Sequence, residues 1–173
     1  VSYSSNKNVG TATIKFTGKG SYGGVVTKTF KINPAKQNIQ KLKSKSRSFF
    51  IDWAQKGSAT GYEIQYATNY DFTNAETKRL TANKPDTVTI SGLYRGHNYF
   101  VRVRSYTIVK GSTYYGEWSP IKNVVTASKN MSSVSISNIS TKSFTGKAIA
   151  QSAKLKYKRS TLKNGRDYTV SYS

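Results

Sequence analysis

Tyr99-Phe100-Val101-Arg102-Val103-Arg104-Ser105-Tyr106 decides the fold. Tyr99, Val101 and Val103 alternate with Arg102 and Arg104. Successive side chains of a strand point to opposite faces, so one face is apolar and the other cationic. The same period of two recurs in both directions. Phe49, Ile51 and Trp53 share a face, as do Tyr62, Ile64 and Tyr66, and then Val88 and Ile90. Ala12, Ile14 and Phe16 form a set nearer the start, and Tyr168, Val170 and Tyr172 form the last. Helical periodicity is hard to find.

Turn signals separate these runs: Gly18-Lys19-Gly20, Gly23-Gly24, Lys56-Gly57-Ser58, Ser91-Gly92, Lys110-Gly111-Ser112 and Asn164-Gly165. Short strands at regular spacing predict an all-β chain of sandwiches or barrels. Asn33-Pro34-Ala35-Lys36 marks one boundary, because proline cannot continue a central strand. The polar run Ser128–Ser133 marks another. The chain thus divides into 1–36, 37–128 and 129–173.

With 173 residues, 36% hydrophobic and 13% aromatic, the chain can build small cores. It has no cysteine, hence no disulfide framework and no thiolate metal site. No apolar run reaches membrane-spanning length, and neither a signal peptide nor membrane insertion is expected in this segment. The opening Val1-Ser2-Tyr3-Ser4 already reads as part of a strand, as in a piece of a longer polypeptide.

Charge is the unusual feature. The net charge is +21. Residues 1–36 hold six basic residues and no acid, 37–128 thirteen and six, and 129–173 nine and one. Such a field attracts polyanions: anionic wall polymers, acidic glycans or host matrix. Lys154, Lys156 and Lys158, with Arg159, read as one cationic strand face and a candidate polyanion site, with Leu155 and Tyr157 opposite. The plainer reading is a solvated face that discourages sideways aggregation. No nucleic-acid motif is present, and the aromatics fall on expected core faces, so nucleic acid is not an expected partner.

No catalytic constellation emerges and no cofactor is expected. The seven acids are dispersed, and His97, the only histidine, lies in the Arg95-Gly96-His97-Asn98 turn. Gly18–Gly24 is rich in glycine, but a strand follows it and not the helix that a phosphate loop requires. Asn164-Gly165-Arg166-Asp167 reads as a turn. A Lys–Asn isopeptide bond is disfavoured, since Asp52 and Glu63 alternate onto the outward face.

Residues 38–127 resemble a fibronectin type III domain. The carrying residues are Trp53, Gly61–Ala67, Ile90-Ser91-Gly92-Leu93, Tyr99–Tyr106 and Gly116-Glu117-Trp118-Ser119-Pro120. The resemblance implies that Trp53 fills the space between two sheets. It implies that Leu93 and Tyr99 form a tyrosine corner, the hydroxyl bonding back to the preceding loop. It also implies that Arg102 and Arg104 stack beside Trp118.

A second resemblance spans the outer sections. Phe144–Ile149 and Leu162–Ser173 look like the first half of a bacterial immunoglobulin-like surface repeat. Val1–Ile14, Gly18–Tyr22 and Lys28–Ile32 look like the second half. Val1-Ser2-Tyr3-Ser4 returns as Val170-Ser171-Tyr172-Ser173 at that seam. The resemblance implies one period of a tandem array, as in Gram-positive cell-surface and adhesin proteins. The expected molecule is an elongated row of sandwiches, fibronectin type III plus immunoglobulin-like. It is expected to be extracellular, a non-enzymatic stalk or filament whose partners are neighbouring repeats or copies of itself, head to tail.

Overall fold

A computed structural model of the chain describes all residues except Gln55, Lys56, Ser58, Asn83, Pro85 and Ser173. The turn signal at Lys56-Gly57-Ser58 and the last residue of the repeated tetrapeptide therefore fall partly outside the described residues. The chain is all-β, with fourteen strands and no α-helix among the described residues. Two compact units are present, Val1–Ser128 and Lys129–Ser173. The proline-marked boundary at 33–36 falls inside the first unit.

The first unit opens with a three-stranded antiparallel sheet, β1 (Ser2–Ser4), β2 (Gly10–Thr17) and β3 (Val25–Ile32), in that order. The glycine-rich segment closes the β2–β3 hairpin, with Gly18 N–H donating to the Gly24 carbonyl at 2.9 Å. A sandwich follows. One sheet is β4 (Ile39–Lys45), β5 (Ser48–Trp53) and β8 (Thr87–Ser91). The other is built on β6 (Gly61–Ala67), β7 (Glu76–Leu80) and the long β9 (Asn98–Val109). The free side of β9 is covered by β10 (Ser112–Tyr115) near one end and β11 (Lys122–Val125) near the other.

The core lies where the alternating faces meet. Phe49, Ile51 and Trp53 from β5 face Tyr62, Ile64, Tyr66, Val101 and Val103 from the second sheet. Trp53 is fully buried, its ring centroid 5.2 Å from that of Tyr62. Phe49 meets Tyr66 edge to face at 5.8 Å. Fully burying side chains of this size contributes about 1.5–3 kcal/mol each. Gly61 is required by a close approach. A Cβ there would lie 2.0 Å from the Leu80 carbonyl and 2.6 Å from the Tyr106 hydroxyl, which bond each other at 3.0 Å.

The second unit carries β12 (Val134–Ser137), β13 (Lys154–Tyr157) and β14 (Ser160–Thr161), one small antiparallel sheet in that order. Two sequence expectations change here. Lys154 and Lys156 lie on β13, but Lys158 has φ 54° and sits with Arg159 in the turn to β14. A left-handed residue ends the alternation, so the cationic face is two lysines long and Lys158 instead comes 5.9 Å from the Tyr157 ring centre. Tyr168, Val170 and Tyr172 read as one strand face. Among the described residues only Tyr168 makes a bridge, to Asn164, and the segment joins no sheet.

Candidate functional site

Two features of the first unit organise charged and aromatic side chains, and a third feature occurs in both units. The first is a gap in the edge covering β9. Between β10 and β11, Gly116 N–H donates to Ser105 O at 3.0 Å and Ser119 N–H to Val103 O at 2.8 Å. The Ser119 hydroxyl accepts from Val103 N–H at 3.0 Å. Pairing thus resumes on both sides of Glu117-Trp118, and this interruption turns the Trp118 ring over the outer face of β9. The Arg102 and Arg104 guanidinium carbons lie 4.7 and 4.3 Å from the ring centre.

Three further rings extend the stack. Arg102 also covers Phe72 at 4.1 Å, Arg104 covers Tyr115 at 4.0 Å, and Arg79 covers Tyr106 at 4.0 Å. Glu63 neutralises the row. It sits directly opposite Arg79 on β7 and Arg104 on β9. Arg79 Nη1 donates to its Oε1 at 3.0 Å, and Arg104 Nε and Nη2 donate to its Oε2 at 2.9 and 2.7 Å. Glu63 does project from the outward face of β6, yet its side chain is only 8% exposed because the two arginines cover it. Among the described residues no carboxylate pairs with Arg102. Its Nε donates to Gln65 Oε1 at 2.8 Å, and burial with Arg104 beside it lowers its pKa.

The Tyr99 hydroxyl accepts from Tyr94 N–H at 3.1 Å, five residues back, and Leu93 is buried beside it. His97 is exposed in its turn, Nδ1 lying 2.8 Å from the Arg95 carbonyl. Among the described residues no group of acids and histidine gathers as a metal site. A fibronectin type III domain model matches residues 33–122, more than half of the chain. The chain belongs to the fibronectin type III family.

Several solved structures are similar to this chain. The chicken CNTN1 FN1-FN3 domains share 18% identity at a TM-score of 0.50, over 72% of this chain and 45% of that one. The human contactin 1 fn3 domain shares 16% identity at 0.47, over 65% and 95%. A structure described as a myokine shares 14% at 0.47, over 56% and 100%. The likeness to the chicken structure shows the fold alone, and this chain spans less than half of it. No curated protein matches the chain. Fibronectin type III domains are typically structural or binding modules, and among the described residues no helix is long and apolar enough to cross a membrane.

The second feature is a groove of about 670 Å³ between residues 3–11 and the β9–β10 hairpin, with Lys7 and Lys110 on its walls and no carboxylate in its lining. Thr11 and Tyr114 close one side through a 2.8 Å hydroxyl contact.

The third feature is two open apolar sheet faces. Directly paired residues share a face, so the register places Tyr3, Ala12, Ile14, Phe16, Val26 and Phe30 together, with Ala12 fully buried and the rest of the face more open. Thr13, Lys15, Thr27, Thr29 and Lys31 take the other side. Phe16 and Phe30 remain 43% and 42% exposed. In the second unit Val134, Ile136, Leu155 and Tyr157 share one face, with Ser135, Ser137, Lys154 and Lys156 behind them. Leu155 is buried, but Ile136 is exposed, as are Phe144, Val170 and Tyr172.

Sequence reasoning named Trp53, Leu93, Tyr99, Arg102, Arg104 and Trp118. It missed Glu63, Phe72, Arg79 and Tyr115 as members of the stack. The signal for them is cross-strand register, which emerges only once β6 is aligned on β7 and β9.

Proposed function

We propose that this chain is a structural repeat of a secreted bacterial cell-surface protein. Its fibronectin type III sandwich alternates with an immunoglobulin-like module assembled from residues 129–173 of one copy and 1–36 of the next. The two open apolar faces carry this reading. A sheet with one apolar face needs a second layer over it, and among the described residues Phe16, Val26, Phe30 and Ile136 stay exposed on theirs. Head-to-tail completion supplies that layer, and its heterologous repetition produces a shaft. Such a shaft holds a contact region away from the envelope. The test is a series of polypeptides with one, two and four copies. Small-angle scattering should give a maximum dimension that grows linearly with copy number. A dimension that levels off at a compact value overturns the stalk.

A second reading is favoured by the acid-free groove and the net charge of +21. Here the first unit captures an acidic polysaccharide or wall polymer. Retention on heparin that persists above about 0.15 M salt, where the screening length is about 8 Å, supports capture. Loss of retention at that salt, and no effect of Lys7→Glu with Lys110→Glu, returns the charge to a solvated surface.

A further inference from the structure

β1 has only three residues, all exposed, yet its pairing is well defined. Ser2 lies opposite Lys15, Tyr3 opposite Ile14 and Ser4 opposite Thr13. β2 continues past this contact through Phe16 and Thr17, and a strand edge recruits a further strand wherever it lacks one. Val170-Ser171-Tyr172-Ser173 repeats the β1 sequence and is preceded by Tyr168-Thr169.

Resting on the stalk reading, we infer that the 168–173 segment of one copy takes the place of β1 on β2 of the next copy. Ser171 then stands opposite Lys15 and Tyr172 opposite Ile14. Val170 falls beside Phe16 and Thr169 beside Thr17, so this pairing runs to the end of β2. Tyr172 enters the apolar face in the position of Tyr3. The chain entering from β14 brings the sheet β12–β14 with it, and Val134, Ile136, Leu155 and Tyr157 become the layer over Phe16, Val26 and Phe30. The lysines support this choice of faces. Lys154 and Lys156 lie behind their sheet and Lys15 and Lys31 behind theirs, so closing the apolar faces leaves these four cations in water. Lys28, opposite Ile14, is the exception. It lies on an outer strand, where a lysine can bury its stem and keep its ammonium at the rim. In this chain the Tyr172 hydroxyl bonds Gln151 at 3.1 Å, an exposed contact that the exchange gives up.

The experiment removes Val1–Ser4 from the otherwise full chain and follows its mass by sedimentation. The expected result is a concentration-dependent series of oligomers. A synthetic peptide of residues 162–173, added in excess, returns it to the monomer. Tyr172→Pro in the same chain removes a strand N–H and should weaken association at least tenfold. A monomer that binds no peptide, with the sandwich core folded by circular dichroism, overturns the inference. Oligomers indifferent to Tyr172→Pro overturn the register. A second variant, Tyr3→Gly, loosens β1 without deleting it and should bind labelled peptide more tightly than the unaltered chain. Equal binding counts against the exchange. None of these three failures touches the copy-number series, which judges the stalk separately.

Discussion

Glu63→Gln removes the one carboxylate between Arg79 and Arg104 and keeps the shape of the side chain. The exposures set the size of the effect. Breaking a fully buried pair from one side costs about 3–5 kcal/mol, while an exposed pair contributes about 0.2–1 kcal/mol. Glu63 is 8% exposed, but Arg79 is 40% and Arg104 25% exposed, so water can reach both cations after the change. The expected loss is intermediate, about 2 kcal/mol, which for a domain of this size lowers Tm by about 10 °C. Urea denaturation followed through Trp53 and Trp118 fluorescence measures it. Two guanidinium groups left facing each other repel, so 1 M salt, with a screening length of about 3 Å, should recover part of the loss. A loss below about 0.5 kcal/mol, or one that salt deepens, refutes the view that this carboxylate neutralises the stack.

Trp118→Ala removes two cation–π contacts and should cost about 1–2 kcal/mol by the same denaturation. Gln37 is fully buried, and its amide has no hydrogen-bond partner among the described residues. Gln37→Met should therefore raise stability by about 1 kcal/mol, read as a higher urea midpoint. In the second unit the Arg166 guanidinium and the Lys163 N–H hold the Asp167 carboxyl down at about 2, below its usual 3.8. A depressed carboxylate stabilises its turn fully above pH 3.8 and loses that contribution as pH falls through 2. Backbone resonances of residues 163–168 should shift in that window and not between pH 5 and 7.

The alternation of Phe49, Ile51 and Trp53, of Tyr62, Ile64 and Tyr66, and of Tyr99, Val101 and Val103 made the core readable, because burial imposes a period of two on each strand. Cross-strand neighbours were less readable. Arg102, Arg104 and Trp118 can be named from two short motifs. Glu63 and Arg79 meet only through the register of β6, a property of two distant segments at once. Lys158 left its expected face because one left-handed residue ends a strand with little local warning. Tyr168, Val170 and Tyr172 show the complementary case: alternation says which side is apolar but does not say which strand lies alongside.

Dye binding measures that missing partner most directly. Anilinonaphthalene sulfonate reports open apolar surface, so it can count unfilled faces in chains of one, two and three copies joined with Ser173 running into Ser5. If each junction closes one pair of half-sheets, dye bound per polypeptide stays constant as copies are added. Dye bound in proportion to copy number would mean that the faces stay open at every junction, contradicting their complementarity.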